Sequence, residues 1–451
     1  MEKRTKILSG IFLSGLALGF ATVFTIALLG GIQILPLYRM EPEDMLPERN
    51  TVFLLRNATP QDIAAWSNIF ADITSAYYGA TSLAIVQSDN GDRHVIRFDR
   101  LTRNASSGCI IGKYRIESAN GDVCPDAVAH HGATLGDEAG YKALGKPPKG
   151  SWAFVRRDAL PEAPNLLSRV LESSVLSSAS YIRISQEDGD RIITLWPASP
   201  PSHTYDLPAL PESNAVFSLG TGNLQDTVER VLSTLSTPDR LTARGLLLTQ
   251  SAALFGPDIS LEHRLLPLLT ENSSISIVQT ESGSRILISG NAGTASDALQ
   301  TMNELHTAFR LRHPDVAVVE RTFDERFPLK TMRVSEERIY AENGTIHGWD
   351  IRATKDSRDN RLLITALRGK EVQISDSTEL LLSSLAESSA TAIPVSHRPI
   401  AKKTVQAAVL PAKWFQHSPL LKIIAPSGNS LIVVIEQLGE TGYVRVREQR
   451  E

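Results

Sequence analysis

Apolar residues recur with period two at several points of this 451-residue chain, and each such stretch ends at a turn signal and is followed by another. Leu83-Ala84-Ile85-Val86-Gln87 turns at Asn90-Gly91 and returns through Arg93-His94-Val95-Ile96. Ile275-Ser276-Ile277-Val278-Gln279 turns at Ser282-Gly283 and returns through Arg285-Ile286-Leu287-Ile288. Tyr181-Ile182-Arg183-Ile184 turns at Asp188-Gly189, and Leu421-Lys422-Ile423-Ile424 turns near Ser427-Gly428 to return through Leu431-Ile432-Val433-Val434. Asn-Gly and Asp-Gly accept the positive φ of tight turns, and the flanks are rich in β-branched residues, so these segments predict hairpins. A helical pattern precedes each: residues 60–66 behind Thr59, 163–176, 223–228 and 411–418. An apolar strand leads into each helix. The pattern therefore predicts a strand–helix–hairpin module near 51–98, 151–196, 215–289 and 404–437, plus a helix over 296–311 and a further hairpin at Asn343-Gly344.

The modules carry an internal repeat. Leu46-Pro47-Glu48-Arg49-Asn50-Thr51-Val52-Phe53 recurs as Leu210-Pro211-Glu212-Ser213-Asn214-Ala215-Val216-Phe217. If the repeat is a duplication, Val52 and Val216 share one sheet position, as do Ile85 and Ile277, and Arg93 and Arg285 leave their turns in the same direction. A slip of one residue would turn every equivalent side chain to the opposite face. The two openings, behind a single apolar N-terminal segment, resemble a group of bacterial membrane-anchored extracytoplasmic proteins of unknown function whose repeats begin with Leu-Pro. That resemblance spans most of 46–451 and implies location and repeat architecture, with no catalytic residue to carry over.

Residues 7–35 lack any ionisable side chain and follow Lys3, Arg4 and Lys6. At ~1.5 Å of rise per residue this is long enough to cross a hydrocarbon core of ~30 Å. The expectation is an uncleaved signal anchor over 7–36, with residues 1–6 cytoplasmic, everything beyond the span outside the cytoplasm, and the cell (inner) membrane as the location. Gly15 and Gly19 have the spacing that lets two such helices approach, which points to a homodimer through the anchor. Pro197, Pro200, Pro201 and Pro208 mark 197–209 as a stiff linker between repeat domains at 46–196 and 210–451. The fold class expected is α+β: a transmembrane helix, then tandem domains with mainly antiparallel sheets and helices packed on one face.

Charge and chemistry narrow the function mostly by exclusion. The chain carries a net −4, and its first six residues are themselves basic, so the remainder is acidic and has no footprint for nucleic acid. The two cysteines, Cys109 and Cys124, are expected to pair in an oxidising compartment. Neither Gly-x-Ser-x-Gly nor Ser-x-x-Lys occurs, and Ser427-Gly428-Asn429-Ser430 reads as a turn. His130-His131 lacks the i, i+4 spacing and intervening Glu of a zinc helix. Asp89-Asn90-Gly91-Asp92 and Glu187-Asp188-Gly189-Asp190 are too short for a calcium loop. Gly220-Thr221-Gly222 lacks the third glycine of a dinucleotide fingerprint. No catalytic, metal or cofactor residue is assigned. The reading is a non-enzymatic, membrane-anchored envelope protein that binds or scaffolds an extracytoplasmic partner; the alternative is an extracytoplasmic hydrolase acting on cell-wall or peptide substrates.

Overall fold

The computed structural model describes residues 40–451 except 102–108, 119–131, 177–178, 199–214, 256–258, 282, 313–315, 325–326, 335–338, 357–360, 388–402, 426–429 and 449–451. The chain divides into two compact units, Met1–Ala159 and Leu160–Glu451. The division falls after Ala159, outside the proline-rich 197–209.

Unit 1 runs α1 (Pro42–Met45), β1 (Thr51–Arg56), α2 (Pro60–Ser67), β2 (Ser82–Gln87), β3 (Arg93–Arg100), β4 (Cys109–Ile111), β5 (Tyr114–Ser118), α3 (Ala139–Ala143) and β6 (Trp152–Arg156). Antiparallel pairing gives the order β6-β1-β2-β3-β5-β4. Helix α2 starts where the sequence places a start. The Thr59 hydroxyl accepts from the Asp62 backbone N–H at 3.2 Å, the Asp62 carboxylate accepts from the Thr59 N–H at 3.0 Å, and Pro60 holds the first helical position. The helix turns Ile63 and Trp66 inward, where Trp66 and Phe70 meet the Phe53 ring at 4.8 and 4.9 Å. Those rings form a well-packed aromatic core.

Unit 2 runs α4 (Leu166–Leu176), β7 (Tyr181–Glu187), β8 (Asp190–Trp196), β9 (Ala215–Thr221), α5 (Leu224–Thr234), α6 (Thr237–Phe255), β10 (Glu271–Thr280), β11 (Gly283–Asn291), α7 (Ala295–Arg312), the hairpin β12 (Val316–Asp324) and β13 (Phe327–Val334), then β14 (Ile339–Ile346), β15 (Trp349–Asp356), β16 (Arg361–Arg368), β17 (Glu371–Ser375), α8 (Thr378–Glu387), β18 (Lys403–Pro411), α9 (Ala412–Phe415), α10 (Pro419–Ile424), β19 (Ser430–Leu438) and β20 (Thr441–Glu448). Its strands pair antiparallel in the order β7-β8-β20-β19-β18-β9-β10-β11-β17-β16-β15-β14. The inner face of α7 packs Ala298, Met302 and Leu305 on Ile288, Leu363, Val372 and Ile374 of the sheet.

Register settles the repeat. Phe53 lies opposite Ile85 and Leu55 opposite Leu83; Phe217 lies opposite Ile277 and Leu219 opposite Ile275. One residue before each phenylalanine the ladder breaks in the same way: Thr51 pairs with Val86 and Ala215 with Val278, leaving Val52 and Val216 as the extra residue of a β-bulge. A bulge is a specific local feature, and its recurrence at one repeat position is strong support for equivalence. The fourth copy has it too. Thr404 pairs with Glu436 and Gln406 with Ile435, so Val405 is the extra residue there. The copies also join in pairs through their leading strands, β1 with β6 and β9 with β18.

Several expectations need correction. The α+β class with an N-terminal transmembrane helix and separate tandem sheets does not stand. Eighteen strands form antiparallel sheet, six in unit 1 and twelve in unit 2, with helices, and β20 pairs with β8, continuing the ladder past a boundary expected to separate sheets. Among the described residues no helix is long and apolar enough to cross a membrane, so the membrane and signal-anchor expectation finds no support in the structure; residues 7–36, with Gly15 and Gly19, lie outside the described residues. The fourth hairpin lies further along the chain than its sequence pattern predicts. Residues 419–424 are helix α10, capped by Ser418, and the true hairpin is β19–β20, with Leu438 opposite Thr441. Asn343 and Gly344 sit inside β14, and the turn lies at His347-Gly348, where φ is +50° and +80°. Arg93 and Arg285 are not equivalent either: Arg93 faces Gln87, whereas Ser284 faces Gln279 and Arg285 faces Val278. The first turn is one residue longer, which shifts every later position of that return strand.

Candidate functional site

A helix that packs one face on a sheet leaves the other for solvent or for a partner. Along α7 the residues Ser296, Leu299, Gln300, Asn303, Glu304 and Thr307 recur at the three- and four-residue spacing of a single helical face. That face is one wall of an open groove of about 700 Å³, completed by Ala308 of α7 and by Ile259 and Arg264 around the short helical turn Leu261–Leu265. Ile259 and Ala308 form an apolar floor, and Leu299 stands 54% exposed beside it. The polar rim is held in place by its own contacts. Arg264 pairs with Glu304 at 2.9 Å, Gln300 donates to the other Glu304 oxygen at 3.0 Å, and Arg352 donates to the Asn303 side-chain Oδ1 at 2.6 Å. The groove thus combines an apolar floor with a hydrogen-bonding rim, the make-up of many binding pockets.

His306, on the same helix, is a base in hydrogen-bond reach of two hydroxyls. Its Nδ1 lies 2.8 Å from the Thr354 hydroxyl and its Nε2 2.9 Å from the Thr365 hydroxyl. His306 and Thr354 are fully buried and Thr365 almost so, which closes the arrangement to substrate. Burial, with Arg352 and Arg310 nearby, pushes the His306 pKa down to about 4. A neutral imidazole has one N–H, so one threonine hydroxyl donates to the ring and the other accepts from it. This is a polar strut between α7 and strands β15 and β16.

Unit 1 holds a second buried polar group. Arg56 bonds Glu41 at 2.6 Å and also contacts Glu43; Tyr114 donates to Glu41 at 2.6 Å, and Lys113 reaches the same carboxylate. Burial raises the Glu43 pKa despite Arg56. At Glu41 burial also acts upward, but the bonds from Lys113 and Tyr114 and the Arg56 charge outweigh it and hold the pKa low. Burial and the bond to Glu41 push Tyr114 up to about 12. These groups satisfy one another and clasp α1 to β1 and β5.

The residues singled out in the sequence do not gather at the groove. Cys109 is buried at the start of β4 and is not a free thiol, while Cys124 lies outside the described residues. Cys109 is disulfide-bonded, and its expected partner Cys124 falls outside the described residues. His130 and His131 also lie outside the described residues, as do Ser427, Gly428 and Asn429. Asp89-Asn90-Gly91 and Asp188-Gly189 are hairpin turns, with Gly91 and Gly189 at positive φ. Gly220 and Thr221 end β9, and Asn223 caps α5 by accepting from the Asp226 N–H at 3.0 Å. Sequence reasoning found helix α7 but not its groove face, because serine, glutamine and asparagine at helical spacing carry no diagnostic chemistry. No protein-family model, curated protein or solved structure matches the chain.

Proposed function

We propose that this chain is a non-enzymatic binding or scaffold module acting outside the cytoplasm, and that it takes a segment of a partner protein along the outer face of α7. The groove carries this reading: it is open, floored by Ile259 and Ala308, and rimmed by Gln300, Asn303 and Glu304, whose orientations are already fixed. A preordered rim lowers the entropy lost on binding. Location outside the cytoplasm rests on Lys3, Arg4, Lys6 and the apolar run behind them. The Leu-Pro-Glu openings, through the family they resemble, support the same location.

A photoreactive phenylalanine analogue at Gln300 tests the groove in living cells. It should give a discrete adduct with one extracytoplasmic protein, and Leu299→Glu in the same chain should abolish that adduct. A control probe at Leu438, which is exposed on a hairpin turn, should not give it. Equal labelling from both positions, or an adduct indifferent to Leu299→Glu, would count against the groove. A reporter that works only outside the cytoplasm, fused after Glu451, tests location and should be active.

A further inference from the structure

Helix α6 follows α5 after the break at Leu235 and has no counterpart in unit 1, where the strand-to-hairpin connection holds the eight-residue α2 and a 3-10 turn at Ser75–Tyr77. It turns Ala243 and Ser251 into unit 2, but between Arg244 and Gln250 every residue is exposed. Leu241, Gly245, Leu248 and Ala252 follow one another at intervals of four, three and four, the spacing of a coiled-coil seam. Leu241 is 65% exposed and Leu248 43%, and a Cβ added to Gly245 would meet nothing within 4 Å. The seam thus alternates large and small residues and carries no charge. Its flanks are Thr242 and Thr249 on one side and Arg244, paired with Glu262 at 2.7 Å, on the other.

We infer that α6 pairs antiparallel with α6 of a second copy of this chain. The alternation is self-complementary under a twofold axis: with the axis between Leu246 and Leu247, Leu241 falls opposite Ala252 of the other copy and Leu248 opposite Gly245. Each leucine then enters a space left by a small residue, the knobs-into-holes arrangement of close-packed helices. A twofold interface uses one patch twice, so the same four residues build both sides. In a parallel pair leucine would meet leucine and Gly245 would meet Gly245, leaving a void at every second level. Leu246 and Leu247 lie outside the seam: Leu246 stays on the outer surface, and Leu247 lies on the row of Ala243 and Ser251 that faces unit 2.

The pairing is independent of the groove on α7, and each stands or falls alone. Cysteine placed in the full chain distinguishes the alternatives, with the unsubstituted chain as background for Cys109 and Cys124. Under mild oxidation Leu248→Cys should crosslink to a dimer, because its two copies are offset along the axis by only about 4.5 Å. Leu241→Cys alone should not, since its copies are about 16 Å apart along the axis, but Leu241→Cys mixed with Ala252→Cys should. Leu248→Glu should convert the dimer seen by sedimentation to monomer with an unchanged far-ultraviolet spectrum. A monomeric unsubstituted chain would overturn the inference. So would crosslinking of Leu241→Cys as efficient as that of Leu248→Cys, or cosedimentation of the chain with lipid vesicles without any dimer.

Discussion

The first and third copies of the module share a backbone and differ in almost everything attached to it. In both, a leading strand bulges at a valine and pairs with a strand whose isoleucine faces the following phenylalanine. Yet Val52 is 5% exposed and Val216 39%. Phe53 is sealed beneath Trp66 and Phe70, whereas Phe217 is half-buried against Trp414 at 5.6 Å. Arg56, hub of the clasp in unit 1, has Gly220 as its counterpart. The connection after the leading strand holds an eight-residue helix in one copy and two helices, of 11 and 19 residues, in the other. Sheet register tolerates no slip, while a surface connection tolerates length, because the cost of a longer loop grows only slowly. Novel surface therefore collects in the connection.

The sharpest way to break this comparison is to remove its aromatic ring. Phe53→Ala should destabilise unit 1 by about 3–5 kcal/mol, the range for an aromatic deleted from a close-packed core. Phe217→Ala should cost unit 2 less than about 2 kcal/mol, because that ring keeps part of its hydration when folded. Urea denaturation followed with probes placed in each unit reads both values, and equal losses would show the two environments to be alike.

Charge separates the copies next. Arg56→Ala leaves Glu43 buried without its guanidinium and should cost about 3–5 kcal/mol. Arg56→Ala combined with Glu41→Gln and Glu43→Gln should recover part of that loss. Gly220→Ala at the equivalent place leaves no charge stranded, and a loss as large as that for Arg56 would contradict the clasp.

His306 gives unit 2 a pH dependence of known sign. Its folded pKa, about 4, lies below the ordinary value of 6.5, so the unfolded chain binds the proton more readily. Stability is full above about pH 6.5 and falls as the pH drops toward 4, by about 3 kcal/mol on this group's account. His306→Gln should lower the plateau and flatten the slope between those limits. A slope unchanged in His306→Gln would place the titration elsewhere.

The smallest effect is at the bulge itself. Val52→Ala removes buried methyls and should cost about 1 kcal/mol, whereas Val216→Ala should stay within about 0.5 kcal/mol, as for exposed positions generally.

Much of the module was legible because its signals are local. Period-two alternation, the Thr59-Pro60 start and the Asp188-Gly189 turn act over a few residues and appear in the fold where expected. The fourth hairpin is less legible, although its strand follows the others. Leu83, Ile182, Ile275 and Val433 each stand two before the isoleucines Ile85, Ile184, Ile277 and Ile435, which stand two before Gln87, Gln186, Gln279 and Gln437. Leu421–Ile424 read as that strand in the sequence because a short apolar run has no period to separate helix from sheet. Pairing of β8 with β20 joins residues more than 240 positions apart and leaves no local trace. The same holds for the site. His306 becomes a strut only when Thr354 and Thr365 arrive from two distant strands, and the groove only when Ile259 closes over α7.

The equivalence of the copies is tested most directly by an experimental structure at a resolution that fixes backbone register. Superposing residues 51–56 and 82–87 on 215–220 and 274–279 should bring Val52 onto Val216 at the bulge, Phe53 onto Phe217 and Ile85 onto Ile277. A bulge present in one copy only, or a one-residue slip that turns Ile277 to the opposite face from Ile85, would contradict it.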